Sequence, residues 1–176
     1  KDELSEIADK YADERRTEIM HESEAIQAAA VDNTPIPEET IVLFTRAGQL
    51  RRMHPRIYER MELPENASEM PAYIFRTQTD YTLLIFTNLG NCYQLPLMSL
   101  EDSMRPKERG LLLSGILSGL EDNETCVHMM PVGPDELAHM PDLLFVTEKG
   151  NIKRSSAAEY EIRRSKFIAL GLNKDD

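Results

Sequence analysis

A chain of 176 residues is long enough for one domain with a sizeable core plus an appendage. Apolar residues at 41% and charged residues at 29% exclude wholesale disorder, and no apolar run reaches the ~18 residues a membrane span takes. Twenty Lys and Arg against 31 Asp and Glu leave a net charge of -11, which taken alone opposes nucleic-acid binding.

The acidity is uneven. Residues 1–40 carry 4 basic and 12 acidic side chains, residues 41–100 carry 6 and 5, and residues 101–176 carry 10 and 14. The first of these segments reads as a helix over 2–30, with Leu4, Ile7, Ala8 and Tyr11 at helical spacing. Asn33-Thr34-Pro35-Ile36-Pro37 ends it, because proline fixes φ, removes a donor and disfavours helix before it. A domain boundary is therefore placed there, with a helical segment over 1–34 and a second domain over 35–176.

Beyond the prolines the period changes. Ile41-Val42-Leu43-Phe44-Thr45, a turn at Ala47-Gly48, and Gln49-Leu50-Arg51-Arg52-Met53 read as strand, turn and strand. The pattern returns as Tyr81–Thr87, Leu89-Gly90 and Asn91–Leu95, and again as Asp142–Thr147, Lys149-Gly150 and Asn151–Ser155. Thr45/Gly48, Thr87/Gly90 and Thr147/Gly150 stand in register, 42 and 60 residues apart. The glycine supplies the positive φ that such a turn demands. A repeat of this length with several strands per unit predicts an all-β, propeller-like architecture, preceded here by an N-terminal helix.

Ala72–Arg76, Thr125–Met130 and Phe167–Leu170 are further strand candidates, and the apolar stretch Gly110–Leu117 fits either strand or helix. The unit that opens at Asp142 reaches Asp176 with its last blade cut or just completed, so about three blades are expected. Open sheet edges recruit partners, which predicts self-association. The chain opens on Lys1-Asp2-Glu3 without an initiator Met or a basic-then-apolar leader, as expected of a piece of a longer cytoplasmic protein.

Several segments carry a family resemblance. Ile152-Lys153-Arg154-Ser155-Ser156, Glu159-Tyr160, Ile162-Arg163-Arg164 and Ile168-Ala169-Leu170 resemble a blade end and the next blade's start in the C-terminal β-pinwheel of bacterial type IIA topoisomerase A subunits, those of DNA gyrase and topoisomerase IV. Leu95-Pro96, Lys107-Glu108-Arg109-Gly110 and Met129-Met130-Pro131-Val132 are similar to the family's second blade. Asp13–Ile19 resembles the helix that closes the breakage-reunion domain, and Pro37-Glu38-Glu39-Thr40 the entry to the pinwheel. The order is colinear over nearly the whole chain.

The resemblance implies a β-pinwheel that holds or bends duplex DNA, in the cytoplasm with the nucleoid. It also implies partnership with the remaining domains of the same topoisomerase polypeptide, and with the ATPase B subunit. One departure stands out. Where the family's gyrases carry a Gln-Arg-Arg-Gly-Gly-rich box, this chain reads Tyr58-Glu59-Arg60-Met61-Glu62-Leu63-Pro64-Glu65-Asn66, with three Glu and no Gly pair. That implies a topoisomerase IV-like or weakly wrapping domain.

No catalytic constellation stands out. His21, His54, His128 and His139 are dispersed, and no P-loop, Ser–His–Asp set, CxxC or zinc spacing occurs. Tyr58 between Arg56 and Arg60 comes nearest to a phosphotyrosine setting, but a tyrosine in a repeat turn usually packs. Cys92 and Cys126 read as buried small hydrophobes and the methionines as core filling. The resemblance places the nucleophilic tyrosine upstream, and Mg²⁺ and ATP in other domains or subunits, so no cofactor is expected in this chain.

The chemistry left is phosphate neutralisation, which gives affinity without reading sequence. The candidates are Arg46 and Lys149 on the turns, Arg51, Arg52, Lys153 and Arg154 after the turn glycines, and Arg163 and Arg164 beyond. The middle repeat offers the uncharged Asn91-Cys92-Tyr93-Gln94, for which Arg105, Lys107 and Arg109 compensate among nearby acids. Solubilising charge on a β surface is the other role open to all of them. A rival for the whole domain is an acidic, propeller-like module that binds protein and not DNA. Convergence of the clusters on one rim separates the two.

Overall fold

The β-branched and aromatic run Ile41–Phe44 forms the heart of β1 (Glu39–Thr45) in a computed structural model that describes residues 2–11, 36–62 and 64–173. The chain divides into two compact units, Lys1–Ile36 and Pro37–Asp176. In the first, α1 spans Asp2–Tyr11, and its apolar residues Leu4, Ile7 and Tyr11 are exposed. The rest of the helix expected over 2–30, including Asp13–Ile19, lies outside the described residues. Among the described residues no helix is long and apolar enough to cross a membrane.

The second unit is built from hairpins. After β1 come β2 (Gln49–Met53), a one-turn helix α2 (Pro55–Tyr58) and β3 (Pro71–Gln78). His54 caps α2 by accepting the Arg56 N–H at Nδ1, and Pro55 fills the first helical position, where no donor is needed. Next follow β4 (Thr82–Thr87), β5 (Asn91–Pro96), β6 (Leu111–Leu112), α3 (Leu113–Ile116) and β7 (Cys126–Val132). The hairpin β8 (Leu143–Val146) and β9 (Ile152–Ser155) and the short β10 (Lys166–Ile168) complete the described strands.

These form two four-stranded sheets, ordered β3-β1-β2-β6 and β10-β5-β4-β7, and the two-stranded β8-β9, with every strand pair antiparallel. The three turn glycines hold φ of 78°, 76° and 79° at Gly48, Gly90 and Gly150, as their register in the repeat predicts. The outer strand of each four-stranded sheet comes from the following unit: β6 follows β5 in the chain yet pairs with β2, and β10 follows β9 yet pairs with β5. The register makes the two crossovers equivalent. Gln49 opposes Leu112 as Asn91 opposes Ile168. Gly48 O accepts from Leu113 N as Gly90 O accepts from Ala169 N.

The central strands β1 and β4 are buried along nearly their whole length, which explains continuous apolar runs where a half-exposed strand would alternate. β3, at a sheet edge, does alternate. One core joins the two four-stranded sheets through Val42, Phe44, Leu50, Leu83, Ile85, Tyr93 and Met129. A second joins the β4–β5 sheet to the third hairpin through Phe86, Cys92, Ala157, Tyr160 and Ala169, with Phe145 and Phe167 packed against it. Phe86, Phe145, Tyr160 and Phe167 form a chain of ring contacts with centroids 5.7–6.0 Å apart.

The expected architecture is present, with corrections of detail. Two blades are four-stranded, and the third is a hairpin whose strands pair only with each other among the described residues. The ambiguous Gly110–Leu117 resolves into the two-residue β6 and the turn α3. The last strand is Lys166–Ile168 instead of Phe167–Leu170. Cys92 is fully buried, but Cys126 is only half-buried. Met53 and Met129 fill the core while Met98 and Met104 are exposed.

Candidate nucleic-acid interface

Adjacent residues on a strand point to opposite faces, and β2 shows the consequence. Arg52 points inward and is 8% exposed; its Nε lies 2.8 Å from Asp102 Oδ1 and its Nη1 donates to the Leu97 carbonyl at 2.7 Å. It ties the hairpin to the chain leaving β5. Arg51 is half-buried and donates to the carbonyls of Pro106, at 3.1 Å, and of Glu108, with Met61 Sδ at 3.1 Å. Burial pulls its pKa down, against the opposing pull of Glu108. Both arginines are thus spent on the crossover that reaches β6. Arg52→Ala is expected to cost about 1–3 kcal/mol in urea unfolding, while the salt dependence of any DNA binding stays as in the parent chain.

The other candidates lie outside. Arg46 is exposed on the β1–β2 turn, with its N–H donated to Met70 O at 3.0 Å. Lys149 is exposed on the equivalent β8–β9 turn. Lys153 is exposed along its stem and donates from Nζ to Ala169 O at 3.2 Å. Arg154 pairs through Nε with Asp142 Oδ2. Arg163 and Arg164 are exposed, in the crossover segment that leads to β10.

Of the eight, Arg51 and Arg52 are thus taken up within the domain, while the other six are exposed. Strand register relates a further set. Counting back from the paired positions Leu112 and Ile168, Lys107 is equivalent to Arg163, and Glu108 to Arg164. Successive crossovers thus carry an exposed cation at the same place, joined by Arg109 on the first and Lys166 on the second. Lys166 is partly covered: Nζ donates to Gly119 O at 2.7 Å, lies over the Tyr93 ring at 5.0 Å, and stands 3.8 Å from Glu124 Oε2. The signal was in the sequence, since 107 and 163 fall at like distances before the two apolar pairs that enter the sheets, but it emerges only once those pairs are known to join the preceding hairpins.

Glu124 is the most enclosed charge among the described residues. Its side chain is fully buried and accepts from Thr87 Oγ1 at 2.6 Å, Asn91 Nδ2 at 2.8 Å, Tyr93 OH at 2.7 Å and Glu121 N at 3.2 Å. Burial pushes its pKa up, but these four donors prevail and hold it at about 2. Burial raises the Cys92 thiol to about 12, which removes it as a nucleophile at neutral pH. Among the described residues no group of three or more His, Cys, Asp and Glu is placed to hold a metal ion.

Comparison with known proteins bears on the family and the fold. The family model described as the DNA gyrase C-terminal domain, β-propeller, matches residues 81–133 and 141–176. The chain is 29% identical to the DNA gyrase A subunit of Clostridium acetobutylicum, over all of this chain and 21% of that one. It is 30% identical to the DNA topoisomerase 4 A subunit of Streptococcus pyogenes, over 99% of this chain and 22% of the relative. The chain thus spans about a fifth of the length of the curated relatives it matches. Among solved structures, the C-terminal domain of DNA topoisomerase IV superposes with a TM-score of 0.65 at 26% identity, covering 75% of this chain and 41% of that one. The C-terminal domain of DNA gyrase A shares the fold, with a TM-score of 0.53 at 19% identity over 78% and 45%.

Proposed function

Because the chain belongs to the DNA gyrase C-terminal β-propeller family, we propose that its β domain grips duplex DNA by the phosphates, as one part of a type IIA topoisomerase A subunit. The observation that carries this is the placement of exposed cations at equivalent positions of successive crossovers, Lys107 and Arg163, with Arg109 and Arg164 beside them. Repetition of the blade repeats the charge, and a duplex presents its phosphates as a repeat. Such contacts displace counterions and carry no base readout. Arg46 and Lys149, exposed on equivalent hairpin turns, extend the same set. Arg51 and Arg52 support it from below by fixing the first crossover.

In this role the domain holds or bends a segment while other parts of the enzyme cut and pass DNA. The nucleophile, Mg²⁺ and ATP belong to those parts and to a B subunit, and the protein works on the nucleoid. The acidic segment at Glu59–Glu65, in the place of a glycine-rich basic box, fits weak wrapping of the topoisomerase IV kind.

The test is duplex binding by the full chain across a salt series. Arg163→Gln/Arg164→Gln is expected to flatten the log–log salt slope by about 1.8, at about 0.9 per lost phosphate contact. Both side chains are exposed, so the melting temperature stays put. An unchanged slope removes these arginines from the interface. No binding by the parent chain even at low salt overturns the reading, and favours a module that binds protein.

A further inference from the structure

The two crossovers are equivalent in register but not in company. Arg163 and Arg164 make no ion pair among the described residues, whereas the first crossover is met by the loop between α2 and β3. That loop holds Glu59, Glu62, Glu65 and Glu69 against one cation, Arg60. Lys107 Nζ lies 3.3 Å from Glu62 Oε2, and Arg109 Nη2 lies 4.0 Å from Glu69 Oε1. The loop and crossover border a cleft of about 460 Å³ lined by Arg51, Glu62, Glu65, Glu69, Lys107 and Arg109.

We infer that Glu62 and Glu69 form an autoinhibitory guard, their carboxylates occupying on Lys107 and Arg109 the places that DNA phosphates would take. This rests on the phosphate-binding role proposed above, and adds that the first crossover enters it only when the guard is displaced.

Three features favour a guard over a structural brace. Both pairs are open to solvent: the side chains of Lys107 and Glu62 are 85% and 81% exposed, and those of Arg109 and Glu69 are 82% and 47% exposed. Exposed pairs of this kind contribute only about 0–1 kcal/mol each, so the fold does not depend on them and a polyanion can replace them. Second, the crossover has its own anchors. Arg51 holds the carbonyls of Pro106 and Glu108, and the Glu108 carboxylate accepts Met104 N at 2.9 Å and Arg105 N at 3.3 Å. Lys107 and Arg109 stay presented when the acids leave. Third, Glu69 stands in register with Glu124, since Met70 O and Thr125 O accept the equivalent N–H groups of Arg46 and Asn88. Glu124 is sunk into the blade, but Glu69 stays at the surface.

The test uses the full chain and a labelled duplex, read by anisotropy over a salt series. Glu62→Gln/Glu65→Gln/Glu69→Gln is expected to tighten binding about tenfold at low salt and to steepen the log–log slope by about 1.8, the contribution of two added phosphate contacts. Adding Lys107→Gln/Arg109→Gln should return both values to those of the parent. A zero-length carbodiimide crosslink between Lys107 and Glu62 should form in the free protein.

Three results overturn the guard: unchanged binding in the triple variant, a gain that survives loss of Lys107 and Arg109, or an equal gain per charge from Asp135→Asn/Glu148→Gln. Binding by the parent without response to the triple variant refutes the guard alone. No binding by parent or variant refutes the DNA role itself.

Discussion

Replacing Glu124 by leucine is expected to destabilise the β domain by about 3–5 kcal/mol, the range for removing one partner from a buried charged network. Leucine fits the volume but accepts nothing. Thr87 Oγ1, Asn91 Nδ2 and the Glu121 N–H lose their carboxylate, and Tyr93 OH keeps only Gly119 O, at 3.0 Å. Lys166 loses its counter-charge on β10. Urea unfolding followed by tyrosine fluorescence reads the loss; a shift under about 1 kcal/mol would mean the network is no more than a set of ordinary solvated bonds. A pH series gives an independent check. The folded carboxyl titrates near 2 against an ordinary 4.5, so its contribution is complete above about 4.5 and fades as pH falls through about 2. Between those limits the parent should lose stability faster than the leucine variant.

Gly90→Ala is expected to be far worse than the matching change at Gly48, although both glycines hold nearly the same φ. At either site a left-handed alanine costs about 1–2 kcal/mol. At Gly48 the added methyl meets nothing within 4 Å, so the cost stops there. At Gly90 it would sit 2.1 Å from Leu170 O, and Gly90 O itself accepts from Ala169 N and Leu170 N, at 2.9 and 3.0 Å. The chain after β10 must retreat, and overpacking adds about 1–3 kcal/mol. Parallel urea titrations of the two variants decide it. Equal midpoints would mean that the segment after β10 yields freely and clamps nothing.

What the sequence made legible follows from the range of the forces involved. The hairpins are local: β-branched runs close on a threonine and a glycine three residues apart, and the left-handed turn excludes other residues, so Thr45/Gly48, Thr87/Gly90 and Thr147/Gly150 announced themselves. β6 did not. It is two residues long, and its partner β2 is fixed by contacts with another unit. The basic pairs misled for a simpler reason. Arg51-Arg52 reads as one cluster, but strand alternation sends Arg52 to Asp102 and the Leu97 carbonyl while Arg51 takes the crossover. Applying the period of two to charged residues, and not only to apolar ones, would have separated them. Nor did Glu124 stand out among its acidic neighbours, because burial of a single carboxylate depends on donors 31 to 37 residues away.

The borrowed outer strands also set a timetable for synthesis. Gln49 waits for Leu112, and Asn91 waits for Ile168, so a finished blade needs 63 and 77 further residues to leave the ribosome. At about 5–20 residues per second, that is a delay of roughly 3–15 s. During it the outer edge of β2, then that of β5, stands bare. The nascent domain is therefore most exposed to wrong pairing while it is being made, and each new unit shields the one before it.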